Sequence, residues 1–166
     1  MKKLLKNLLP GAVIFGFCWG GAAAQDLHVV EQWKGKFPVD KVIDDKPLWD
    51  QPVVQAAMRA AMGEQYFALS QKAAHSPEAP VTDDGNGIFV AWTCIEGADC
   101  SGNNMTVFFD SASGNAQVCW RSSEGIGGKV QDLWLSNGTA RPLPINGCGV
   151  GEKNPFASLK KFGSAK

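Results

Sequence analysis

The chain has 166 residues with 16 basic and 16 acidic side chains, and this balance excludes the strongly basic surface that nucleic acid or an anionic membrane selects. Six tryptophans and nine phenylalanines exclude a disordered chain and supply a packed core, while the length sets one domain.

The first 24 residues read as a cleaved secretory signal. Lys2, Lys3 and Lys6 form a basic start, residues 8–19 an apolar core, and Ala22-Ala23-Ala24 the small residues of a cleavage site before Gln25. The apolar run is shorter than the roughly 20 residues of a membrane span, so no membrane attachment is expected after cleavage. Removing this segment takes three basic and no acidic residues, leaving 13 against 16 and a formal charge of −3 for the domain 25–166. Cys18 leaves with it. The four cysteines that remain, Cys94, Cys100, Cys119 and Cys148, read in an exported, periplasmic protein as two disulfides with three possible pairings. Proximity in sequence favours Cys94 with Cys100, which leaves Cys119 for Cys148.

Residues 27–33 read as a short strand or a helical turn. A helix is predicted from LWDQPVVQAAMRAAMGEQY onward, with Asp50 as N-cap and Pro52 in the first turn, where its missing N–H costs nothing. Val54, Ala57, Met58 and Ala61 fall at helical spacing and form one buried stripe. Gly63 ends or bends the helix, and Tyr66, Phe67 and Leu69 carry an apolar face to about residue 74. HSPEAPVTDDGN, residues 75–86, has the composition of a linker or turn. The helical period then disappears. GIFVAWTC, NMTVFFDS and AQVCWRS are β-branched and aromatic runs, with a hairpin turn at 109–115. A fourth strand is predicted over 129–135, followed by a turn at Ser136-Asn137-Gly138-Thr139, and a short helix over 155–162. Such closely spaced strands must pair antiparallel, since parallel crossovers need more chain. The fold expected is α+β, a central antiparallel sheet with helices packed on one face.

No motif for catalysis, metal or cofactor emerges. His28 and His75 stand alone, without a ligand partner at close spacing. The spacing of Cys94 and Cys100 is not the Cys-x-x-Cys of zinc or thioredoxin-like sites. Asp83-Asp84-Gly85-Asn86-Gly87 lacks the alternating ligands of a calcium loop and suits a turn. Gly125-Ile126-Gly127-Gly128 is a fragment of a phosphate-binding pattern. Asn104-Met105-Thr106 and Asn137-Gly138-Thr139 match the glycosylation sequon. Glu96 and Asp99 form an acid pair on one short loop, with no apolar pocket in the local sequence to raise either pKa, as a glycosidase acid requires.

TCIEGADC, which sits between two strands, suits a binding element instead. A cross-link at its feet reduces the entropy lost on entering a cleft. Glu96 and Asp99 present negative charge there, and Gly97 and Ala98 keep the tip slim.

An exported chain, PVVQAAMRAAMGEQY, DGNGIFVAWTC, a cysteine-clipped loop ending Asp-Cys, and MTVFFDSASGNAQV follow in an order that resembles the Ivy family of periplasmic lysozyme inhibitors over roughly residues 50–120. That family projects a loop of form Cys-Lys-Pro-His-Asp-Cys into the lysozyme cleft. The resemblance implies an α+β fold, often a homodimer, no enzymatic activity, and lysozyme or another peptidoglycan hydrolase as partner. Cys94, Asp99 and Cys100 match the motif's two cysteines and aspartate. The loop here is one residue longer, and Ala98 stands where the family has histidine. The inhibitory loop is therefore expected at Glu96, Gly97, Ala98 and Asp99. Two other readings are an immunity protein against a cell-wall amidase delivered by type VI secretion, and an exported structural or ligand-binding domain.

Overall fold

The computed structural model describes residues 25–71, 78–94, 100–123, 130–144, 148, 159, 160 and 163. The predicted signal, His75, the glycine-rich stretch 125–128 and loop residues Glu96, Gly97, Ala98 and Asp99 lie outside the described residues.

A 3-10 helix at Leu27–Trp33 and another at Leu48–Asp50 precede α1, Pro52–Ser70. Six strands follow: β1 Glu78–Asp83, β2 Ile88–Cys94, β3 Asn104–Asp110, β4 Asn115–Ser122, β5 Gln131–Ser136 and β6 Thr139–Leu143. They pair in sequence order, each antiparallel to the next. The expected α+β class and antiparallel sheet are what the chain adopts.

Strand alternation divides the sheet into two faces. One carries Phe89, Ala91, Met105, Val107, Phe109, Ala116, Val118, Trp120, Leu133 and Leu135, and packs with Val54, Ala57, Met58, Ala61, Met62 and Phe67 of α1 and with Leu27, Val30 and Trp33. The helical stripe read from the sequence is buried in this core. The opposite face carries a smaller cluster of Val90, Phe108, Cys119, Trp134 and Cys148, with Leu159 packed against it. Leu159 and Lys160 are helical; the rest of the predicted tail helix is outside the described residues.

Two local expectations are corrected, and one strand joins those expected. Asp50 closes the second 3-10 helix, and Gln51 is the N-cap of α1, with no side-chain cap bond. Pro52 opens α1 as expected. The stretch read as linker contains β1, and the chain after Asn137-Gly138 continues into β6. Both are edge strands. β1 has a register irregularity between Ala79 and Thr82, and its outer side is closed where Gly35 N–H donates to Val81 O and Val81 N–H donates to Lys36 O, both at 2.8 Å. β6 carries Pro142, which suits an edge because it cannot donate to a ladder.

Gly63 breaks α1, with φ 71° and ψ 165°, a backbone region almost confined to glycine. The break frees the Ala61 carbonyl, which accepts from Gly138 N–H at 3.0 Å. The β5–β6 turn thereby docks on the bend, and a Cβ on Gly63 would lie 3.5 Å from the Gly138 oxygen.

Candidate functional site: the foot of the cysteine-clipped loop

β2 ends on Cys94 and β3 begins on Asn104, directly opposite in register. The disulfide Cys94–Cys100 closes the loop between them, with the two Cα atoms 5.0 Å apart. The second disulfide is Cys119–Cys148, so both expected pairings are present.

The row continues across the sheet. Asn104 pairs with Arg121, and Arg121 with Asp132. Cys94, Asn104, Arg121 and Asp132 thus point to one face on four successive strands, and all are buried. A charged pair under such cover must satisfy itself, and this one does. Arg121 Nε donates to Asp132 Oδ1 at 2.7 Å, and Nη2 donates to Oδ2 at 2.8 Å. The Cys148 N–H donates to the same Oδ2 at 3.2 Å. Hydrogen bonding to Asp132 raises the Arg121 pKa above its ordinary value, against the opposing effect of desolvation.

From this row, donors reach the exit of the loop. Asn104 Nδ2 donates to the Cys100 carbonyl at 2.7 Å, and Arg121 Nη1 donates to the Ser101 carbonyl at 3.3 Å. Asn103 adds a reciprocal pair: its Nδ2 donates to Ser123 Oγ at 2.6 Å, and Ser123 N–H donates to Asn103 Oδ1 at 3.0 Å. The segment after Cys100 is therefore tied to the end of β4 by side-chain bonds beyond the ladder. This is a rigid mount, the arrangement that lets a short loop hold one shape against a partner.

Elsewhere the chain offers less. A cleft of about 490 Å³ lies at the other end of the strands, lined by Asp84, Ile88, Phe108, Asp110, Gln117 and Leu159 among others. Its main polar groups already close turns or pair internally. Asp84 accepts from the N–H groups of Asn86 and Ile88, Asp110 from those of Ala112 and Ser113, and Gln117 Oε1 from Trp134 Nε1. Burial pushes the Asp84 carboxyl up, and the Asn86 and Ile88 donors outweigh it, leaving the pKa below the ordinary value. The predicted turn role of this segment is what the bonds show. Among the described residues, no group of three His, Cys, Asp or Glu side chains is placed to hold a metal ion. His28 is exposed and pairs with Glu31 at 2.8 Å. Asn104, the first residue of one sequon, is fully buried with its amide nitrogen already donating, so in the folded protein it is closed to a glycosyl transferase.

Sequence reading placed Cys94 and Cys100 but missed Asn103, Asn104, Arg121 and Asp132 as the support. The available signal was polar residues at the ends of otherwise apolar strands, which pair into one row only when the register of four strands is counted.

The profile of the family described as Inhibitor of vertebrate lysozyme (Ivy) matches residues 53–145, more than half of the chain. The chain belongs to the Ivy family. No curated protein and no solved structure gave a match. The Ivy span runs from the first turn of α1 to just beyond β6, so it contains the clipped loop and the Asn104, Arg121 and Asp132 row. Cys148 lies outside it, so the second disulfide fastens a segment beyond the Ivy match onto the sheet. The family is one of lysozyme inhibitors, and the two disulfides are compatible with an oxidising compartment such as the periplasm.

Proposed function

We propose that this protein is a periplasmic inhibitor of a lysozyme-like peptidoglycan hydrolase, and that it blocks the enzyme's cleft with the loop between Cys94 and Cys100. The observation that carries this reading is the Ivy match over residues 53–145, which includes that loop. The buried row beneath Cys100 and Ser101 supports it, because a projecting loop gains affinity when its feet are fixed before binding. Glu96 and Asp99 are the contact residues proposed, with Gly97 and Ala98 between them. A glycosidase general acid is protonated in its resting state and donates a hydrogen bond; a carboxylate is a matching acceptor.

The test is inhibition of a vertebrate lysozyme by the mature protein, with Glu96→Ala, Asp99→Ala and the double variant beside it. A charged hydrogen bond is worth about 1.5–3 kcal/mol, so Asp99→Ala is expected to weaken the complex roughly tenfold or more. Unchanged affinity in all three variants would remove the loop from the interface. A second reading keeps the same loop but changes the target. Ala98 stands where the family has histidine, which leaves the usual lysozyme contact incomplete and the loop open to another hydrolase, a secreted cell-wall amidase met by an immunity protein. A panel of lysozymes and amidases separates the two.

A further inference from the structure

We propose that Asn104 is a positioning residue for the inhibitory loop, holding its exit in a fixed direction rather than serving the fold. This rests on the loop reading above. The side chain is fully buried at the first residue of β3. Its Nδ2 donates to the Cys100 carbonyl at 2.7 Å, while its Oδ1 meets no donor. Among the described residues it is the single buried side-chain oxygen or nitrogen left without a partner. A carbonyl oxygen stripped of water and given nothing in return is an expensive placement. A fold seeking only stability is better served there by an apolar side chain of similar shape.

What the amide achieves is control of one peptide group. Cys100 is held through its sulfur to Cys94 and through its carbonyl to Asn104. The next carbonyl, Ser101 O, is held by Arg121, whose guanidinium is itself locked by two bonds to Asp132. Two consecutive carbonyls held by donors from two strands fix the path by which the chain leaves the loop. Removing the first donor leaves the disulfide intact but frees the Cys100–Ser101 peptide to rotate, and ordering it again on binding lowers affinity.

Asn104→Leu separates the two roles, because leucine branches at the same carbon and removes the donor and the unpaired oxygen together. The mature protein, Asn104→Leu, Asn104→Ala and Asp99→Ala are compared by thermal melting, by binding kinetics with a vertebrate lysozyme, and by amide hydrogen exchange. Asn104→Leu is expected to melt at or above the wild-type temperature, to bind about tenfold more weakly through faster dissociation, and to exchange faster at residues 100–102 with β2, β3 and β4 unchanged. Exchange needs no partner and so reads the positioning directly. Wild-type exchange at residues 100–102 in both Asn104 variants overturns the proposal. Wild-type affinity in those variants, with Asp99→Ala weakened, overturns it while the loop reading stands. Wild-type affinity in every variant, Asp99→Ala included, overturns both. A lower melting temperature with unchanged affinity makes Asn104 a structural residue and also overturns it. Should Asn104→Leu fail to fold, the smaller Asn104→Ala carries the same comparison.

Discussion

Replacing Asp132 by alanine removes one half of a buried ion pair. The Arg121 and Asp132 side chains are 6% and 0% exposed, so neither charge has water to fall back on. The substitution deletes two charge-assisted hydrogen bonds of 2.7 and 2.8 Å and leaves the Cys148 N–H without its acceptor. Breaking a buried pair from one side costs about 3–5 kcal/mol, because the remaining charge stays buried after losing its counter-ion. For a domain of this size that corresponds to a fall in Tm of about 10–15 °C. The double variant Arg121→Met/Asp132→Leu removes both charges. It still leaves the Cys148 N–H without its acceptor, at about 1 kcal/mol, and is expected to recover at least about 2 kcal/mol of the single-variant loss. Urea unfolding of wild type, Arg121→Met, Asp132→Leu and the double variant gives the coupling energy. A loss below about 1 kcal/mol for Asp132→Ala, or a double variant equal to the sum of the singles, refutes the reasoning. The pair Lys41–Asp45 is a control, since its side chains are 60% and 84% exposed and pairs of that kind contribute about 0–1 kcal/mol.

Replacing both Cys119 and Cys148 by serine opens a closure of 29 residues and is expected to cost about 3.6 kcal/mol in chemical denaturation by the loop-entropy relation. The shorter closure at Cys94–Cys100, with a separation of 6, is expected to cost less, about 2.2 kcal/mol, yet to cost more inhibition of lysozyme. Gly63→Ala places a Cβ in a conformation reserved for glycine and is expected to destabilise the fold by about 1–3 kcal/mol; an unchanged Tm contradicts the bend. The hydrogen bond from the His28 ring to the Glu31 carboxylate raises the His28 pKa above its ordinary value, against desolvation, with the charges of Glu31 and Asp26 adding to it. A raised folded-state pKa gives stability that is present below the unfolded pKa and lost as pH rises through the folded one. In an NMR titration, Glu31→Gln is expected to move the His28 midpoint down, and an unchanged midpoint denies the pairing.

Much of the fold was legible because its central elements have two-sided or periodic burial. GIFVAWTC, NMTVFFDS and AQVCWRS became β2, β3 and β4, and the stripe Val54, Ala57, Met58 and Ala61 became the buried side of α1. The edge strands were hidden for a physical reason. β6 buries none of its residues, and in β1 Pro80 and a bulge replace clean alternation, with Val81 as the buried anchor. A strand that buries little leaves little hydrophobic signal. Asp50 had the chemistry of a cap, but the 3-10 turn at Leu48–Asp50 uses that position and the helix starts later. At the site, the cysteine pairing was legible from spacing and compartment. The row of Asn104, Arg121 and Asp132 was not, since those residues are distant in sequence and meet only through the register of two strand pairs.

The most direct test of the central claim is a titration of vertebrate lysozyme activity with the mature protein and with Asp99→Ala. Activity is expected to be lost near one equivalent of wild type, and the inhibition constant to rise roughly tenfold or more with Asp99→Ala, as for a lost hydrogen bond to a charged group. An inhibition constant unmoved by Asp99→Ala, Glu96→Ala and their combination, at unchanged Tm, contradicts it.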